Sequence, residues 1–180
     1  MDLFATKDQM ANMSQGLIPA TTLFLEDEIK AASRRIRDYC RWHIAKQQTG
    51  LIFRRRSRFV DEVWLPALRI TAIESVVVNG KPVEDLTRID FDPDTGWTSI
   101  RGAAVEVTYT AGFTEIPETL TPLTLHMAAR ALGNPMGIVR QQTGSASVTY
   151  AQAASGAAAG GNLLPGEEQL LDAYRIARVS

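Results

Sequence analysis

Between residues 22 and 46, apolar or compact side chains return every three or four positions: Leu25, Ile29, Ala32, Ile36, Tyr39 and His43, with Cys40 beside them. That spacing predicts a helix with one buried stripe. No Gly or Pro interrupts it. Thr21 or Thr22 can cap its start, and Glu26, Asp27 and Glu28 suit the positive end of its dipole. A second stripe, Lys30, Arg34, Arg37 and Arg41, is basic and lies about a quarter turn away. A helix over the whole stretch would be about 37 Å long, so other elements must pack along it.

On either side the pattern changes. Residues 1–16 predict a short helix, with a capping box from Thr6 to Gln9, apolar contacts at Phe4, Met10 and Met13, and a stop at Gly16. From Leu51 the chain turns to strand formers. Residues 70–78 (ITAIESVVV) are the strongest strand candidate, and Asn79-Gly80 is the strongest hairpin turn. Residues 88–92 and 97–100 flank Asp94-Thr95-Gly96, which predicts a hairpin with a Gly bulge. Residues 105–109 alternate cleanly. Residues 51–115 therefore read as a β-rich block of four to six short strands.

Helical spacing returns over 118–133, with Leu120, Leu123, Met127 and Leu132 on one face and Gly133-Asn134-Pro135 as the stop. Residues 138–150 suit a hairpin or an arm. Residues 151–161 (AQAASGAAAGG) have no bulky anchor and read as a linker. Residues 163–176 predict a final amphipathic helix opened by Pro165, with Glu167 and Glu168 at its positive end and Leu170, Leu171 and Tyr174 on one face.

The fold expected from this order is α+β: a small helical bundle around one long helix, an inserted β-rich block, and an extended C-terminal arm ending in a helix. The expected divisions are an N-terminal extension (1–21), a main domain (22–150) and a flexible arm with its helix (151–180).

Composition narrows the function classes. The net charge of −1 and pI of about 6.1 give no global field for nucleic acid, so any such contact needs a local patch. The single cysteine, Cys40, excludes an internal disulfide and a Cys-based zinc site. No run of apolar residues is long enough for a membrane span, and the start lacks the order of a signal peptide. A reducing cytoplasm is the expected compartment.

Candidate chemistry is sparse. Asp90-Phe-Asp92-Pro-Asp94-Thr-Gly96 resembles a calcium loop, but its glycine arrives one residue late and Arg101 stands where the loop needs Glu. The hairpin reading is preferred. His43 and His126 lie on different predicted helices without ligand partners at helical spacing, so no metal and no cofactor is expected. No phosphate loop, nucleophile elbow or dinucleotide fingerprint is present. The one dense basic cluster is Arg54-Arg55-Arg56-Ser57-Arg58, set between Phe53 and Phe59. It suits a solvated strand edge, a protein contact or a DNA backbone. A nearly neutral chain with two basic stripes keeps its acidic residues elsewhere. That suits head-to-side contacts between identical subunits.

Several segments, in this order, carry a resemblance: Ile36-Arg-Asp-Tyr-Cys-Arg-Trp-His43; Leu65-Pro66; Val78-Asn-Gly-Lys-Pro-Val83; Phe91-Asp-Pro-Asp-Thr-Gly-Trp97; Val105-Glu-Val-Thr-Tyr-Thr-Ala-Gly-Phe113 with Ile116-Pro117; the helix over 120–132; and Leu164-Pro-Gly-Glu-Glu-Gln-Leu-Leu-Asp-Ala-Tyr-Arg175. Over residues 22–176 the chain resembles the head-to-tail connector, or adaptor, proteins of long-tailed double-stranded DNA phages. The resemblance implies a structural virion protein without enzymatic activity, sited at the head–tail interface and assembled in the host cytoplasm. It implies a ring of identical subunits, usually twelve, below the portal protein. DNA would pass through the channel without sequence-specific contact, and a downstream head-completion or tail protein would bind below.

In that family the C-terminal segment grips the portal. The corresponding residues here are Leu163, Leu164, Leu170, Leu171, Tyr174 and Arg175. Lys30, Arg34, Arg37, Arg41, Arg54, Arg55, Arg56 and Arg58 are the candidates for subunit interfaces or for facing DNA. The N-terminal extension and the Ala/Gly linker depart from the family's commoner pattern. Two other readings stand beside this one. The chain could be a small nucleic-acid-binding module using Arg54–Arg58, or its last helix could fold back on its own long helix.

Overall fold

Turn chemistry and hydrophobic spacing place the elements. In the computed structural model, which describes residues 2–134, 140–143, 146–149 and 160–176, they are α1 (Lys7–Met13), α2 (Leu25–Cys40), β1 (Gln48–Val60), β2 (Val63–Trp64), β3 (Ile70–Val78), β4 (Lys81–Pro82), β5 (Trp97–Thr98), β6 (Gly102–Ala111), α3 (Leu120–Gly133), β7 (Arg140–Thr143), β8 (Ala146–Thr149) and α4 (Pro165–Asp172). The chain divides into two units. One comprises Met1–Cys40 with Pro117–Ala173, the other Arg41–Ile116 with Tyr174–Ser180.

The first unit is helical around a shared core. Leu25, Ile29, Ala32, Ile36 and Cys40 of α2 are all buried, as the three- and four-residue spacing predicts. Leu25 and Ile29 join Ala5, Met10, Leu125 and Ala128 in one apolar cluster. α2 packs along α3 and also meets α1 and α4. The capping box of α1 is present: Gln9 N donates to Thr6 Oγ at 3.2 Å, and Thr6 N donates to Gln9 Oε1 at 2.8 Å. Ser33 is buried because its hydroxyl donates to Ile29 O and accepts from Phe4 N. Within the same unit β7 and β8 pair as an antiparallel hairpin.

The second unit is built on a four-stranded antiparallel sheet in the order β1-β6-β3-β4. β2 and β5 form a separate pair. The register places Phe53, Val107 and Val76 on one face, continued by Leu51 and Tyr109, while Arg54, Glu106 and Val77 share the other. The first face is the core side, with Val105, Val107, Tyr109 and Val76 buried. Burial pushes the Tyr109 hydroxyl up to about 12. Asn79 and Gly80, at φ 51° and 79°, close the β3–β4 hairpin, as expected for Asn-Gly. Asp92 accepts from Asp94 N and Thr95 Oγ, which makes the expected acidic stretch a side-chain-braced turn. Those hydrogen bonds hold its carboxyl below the usual value. Gly96 closes the turn at φ 80°.

This architecture corrects the expected helical bundle around one long helix. The molecule is a mixed α and β structure with four helices and a mostly antiparallel sheet among its described residues. The long helix is the main departure. It stops at Cys40 after 16 residues, because Arg41 and Ile44 take left-handed backbone angles of 68° and 63°. Trp42, Ile44 and Ala45, read as its last turn, are buried in the sheet-containing unit. The sheet is also more than an insert of short strands, since β1 runs for 13 residues and β6 for 10. The expected linker lies outside the described residues apart from Gly160 and Gly161.

Candidate interaction surfaces

β1 is an edge strand. Its only strand partner among the described residues is β6, so its opposite edge carries no strand among them. Arg54 lies directly across from Glu106 and holds it with two hydrogen bonds, Nε to Oε2 at 2.8 Å and Nη2 to Oε1 at 3.2 Å. That pairing lowers the Glu106 carboxyl and raises the Arg54 guanidinium from their ordinary values. Arg55 and Arg56 are exposed and have no ion pair among the described residues. Together with Val77, Gly80, Ala104 and Val105, the three arginines and Glu106 line an open groove of about 560 Å³. Ile52 and Phe59 on the same strand are 57% and 64% exposed. The side chain of Arg58 lies outside the described residues.

The basic stripe of α2 does not survive as one surface. Lys30 and Arg34 are exposed, with Arg34 3.8 Å from Asp38. Arg37 is buried. Its guanidinium sits 4.0 Å over the Phe4 ring and donates to Asp2 O at 2.6 Å. Burial lowers its pKa, opposed by Asp2. Arg41 is exposed beyond the helix end.

α4 folds back onto its own unit. Glu167 meets Arg130 of α3 at 2.6 and 2.8 Å and also accepts from Leu164 N at 2.8 Å, where the sequence suggested only a dipole role. Arg130 also donates to Gly160 O and Asn162 O. Tyr39 OH donates to Asp172, and Arg35 donates to Gly161 O. Of the C-terminal candidates, Leu171 is wholly buried, Leu163 and Leu164 are half-buried, and Leu170 and Arg175 are exposed. Tyr174 belongs to the second unit. Its ring meets Phe113 edge-on at 5.9 Å and its carbonyl accepts from Trp42 Nε1 at 2.6 Å.

Sequence reasoning missed one surface. Leu17, Leu23 and Phe24 are 88%, 78% and 73% exposed, just before the acidic start of α2. Their signal was available: Leu23 and Phe24 are bulky yet out of phase with the stripe through Leu25, Ile29 and Ile36.

His43 Nε2 donates to Ala111 O at 2.9 Å and His126 is exposed. Among the described residues no group of three or more His, Cys, Asp or Glu is placed to hold a metal. No helix among them is long and apolar enough to cross a membrane. No protein-family model matches the chain, and no curated protein matches it at a significant level.

Proposed function

We propose that this chain is a structural subunit of a phage head-to-tail connector, forming a ring below the portal that joins capsid to tail and extends the DNA channel. The observation that carries the reading is the ordered set of segments from Ile36 to Arg175 that resembles the adaptor proteins. The surface is compatible with it. Exposed bulky apolar side chains lie on the same strand as Arg55 and Arg56, which have no ion pair among the described residues, a composition suited to protein contacts. In this reading the partners are identical subunits, the portal protein above and a head-completion or tail protein below. The site is the virion's head–tail interface. The portal contact is assigned to the C-terminal segment, where Leu170 and Arg175 already face solvent.

The test is co-sedimentation with portal-bearing phage heads that lack this subunit. A chain ending at Tyr150 is a poor control, because it removes Leu171 from the core and Glu167 from Arg130. Leu170→Asp leaves both in place. The full-length chain is expected to bind in a fixed ratio to the portal, and Leu170→Asp to weaken binding with an unchanged melting temperature. Heads that bind none of the full-length chain would sink the reading.

A second reading, a nucleic-acid-binding module, has one observation in its favour: the exposed Arg55 and Arg56 beside Arg54. It requires DNA affinity that falls steeply with salt.

A further inference from the structure

We infer that Glu62, Trp64 and Trp97 form a receiving site for an arginine side chain of a partner protein. The site lies wholly within the sheet-containing unit, and it stands apart from the connector reading.

The pairing of β2 with β5 builds the site. Val63 lies opposite Thr98, and Trp64 lies opposite Trp97. Side chains alternate between faces along a strand, so Val63 and Thr98 share one face and the two tryptophans share the other. Val63 and Thr98 are wholly buried. The tryptophans, on the face away from them, are half-buried. Glu62 stands two positions before Trp64 and is exposed. Trp97 Nε1 donates to its Oε2 at 2.8 Å, and Trp64 Nε1 donates to its Oε1 at 3.1 Å. One carboxylate is thereby fixed between two indoles.

Those hydrogen bonds fasten β2 to β5, but they leave the carboxylate's charge without a counterion. Glu62 makes no ion pair among the described residues, and neither does its exposed neighbour Asp61. The indole donors of Trp97 and Trp64 hold the Glu62 carboxyl below its usual value, so it is ionised at neutral pH. Each carboxylate oxygen still has room for a second donor after accepting one indole N–H. Two acceptor positions side by side fit the two-pronged donor edge of a guanidinium. Aromatic faces attract cations, and tryptophan does so best. Lysine carries the same charge but lacks the planar fork, so arginine is the better fit. Tryptophan and arginine are also the residues that most often anchor protein interfaces.

The experiment follows the indole N–H signals of the full-length, nitrogen-15-labelled chain by NMR. Trp42, whose Nε1 donates to Tyr174 O, gives the third signal and serves as the internal reference. The probes are N-acetylarginine amide, its neutral urea analogue N-acetylcitrulline amide, and N-acetyllysine amide. The arginine probe is expected to shift the Trp64 and Trp97 signals saturably and to leave Trp42 in place. The citrulline probe should shift none of them, and the lysine probe should bind more weakly than arginine. Glu62→Gln should weaken arginine binding about 10-fold, with the Trp42 signal unmoved as evidence of folding.

No saturable shift with the arginine probe overturns the inference. So does an equal response to the citrulline or lysine probe, an equal shift of Trp42, or undiminished binding in a folded Glu62→Gln chain. The three probe comparisons use the natural chain, so they decide the matter even where the variant does not fold. Binding to portal-bearing heads is scored separately and can fail while this site stands.

Discussion

The helical unit and the sheet-containing unit are held by different physics. In the first, α2 and α3 bring Leu25, Ile29, Leu125 and Ala128 into one apolar cluster, and its stability rests on burial that depends on side-chain volume. One half-buried ion pair, Arg130–Glu167, ties the last helix in. In the second, long strands pair across distant positions, and turns and clips hold the register. Asn79 Oδ1 accepts from Ala103 N and Ala104 N, and Glu62 accepts from both Trp64 and Trp97, which lie opposite each other on β2 and β5. The first unit is thus vulnerable to lost volume. The second is vulnerable to lost turn geometry and to acid. All three tryptophans, Trp42, Trp64 and Trp97, lie in the second, so their fluorescence reports it alone, while far-UV dichroism at 222 nm reports mainly the helices.

The contrast can be broken in four ways, taken from the largest expected effect down. Ile29→Ala removes a wholly buried side chain from the helical core and should cost about 2–5 kcal/mol. The helical signal should shift most, and an equal shift in tryptophan fluorescence would erase the distinction between the units. Gly96→Ala tests the other side. A Cβ there would sit 2.6 Å from Leu65 O and 2.7 Å from Ala67 O, at a φ of 80° that favours glycine. The expected loss is about 1–3 kcal/mol, read first in tryptophan fluorescence. A variant as stable as the parent would show that this turn is not fixed by its glycine.

Glu167→Gln leaves the Arg130 guanidinium without its carboxylate in a partly buried place. About 1–2 kcal/mol should be lost from the helical unit, measured by denaturant titration at 222 nm. The smallest effect is the acid response. The carboxyls of Glu62, Asp92 and Glu106 are all held below their ordinary values by hydrogen bonds, from the two tryptophans, from Thr95 and Asp94, and from Arg54 respectively. Their stabilisation is present above the ordinary carboxylate range. It fades as pH falls below about 4 and the folded state is protonated. The tryptophan transition should therefore weaken in acid, and Glu62→Gln should flatten that dependence. An unchanged slope in the variant would remove Glu62 from the account.

Much of the local structure was legible in the sequence. The capping box at Thr6, the Asn79-Gly80 turn, the Asp94–Gly96 turn, the buried stripe of α2 and the proline start of α4 all follow from neighbours within a few positions. The candidate surfaces were legible only in part. Arg54, Arg55 and Arg56 stand where a strand edge would show them, but Arg37 looked equivalent to Arg34 and is buried under Phe4, 33 positions away in the chain. Glu167 looked like a dipole partner and is bound to Arg130. The Leu23-Phe24 surface passed unnoticed because exposure depends on what fails to pack nearby.

By itself, then, the sequence determined which segments become helix, strand and turn. Those choices depend on propensity, capping and spacing over one or two turns of chain. Tertiary structure alone decided where α2 ends, which of its arginines turn inward, and which side of the last helix is spent on its own fold. Leu170 and Leu171 are adjacent and equally apolar, yet one is exposed and the other wholly buried. That difference comes from the packing of α4 against α2, a contact between residues more than a hundred positions apart, which no local pattern encodes.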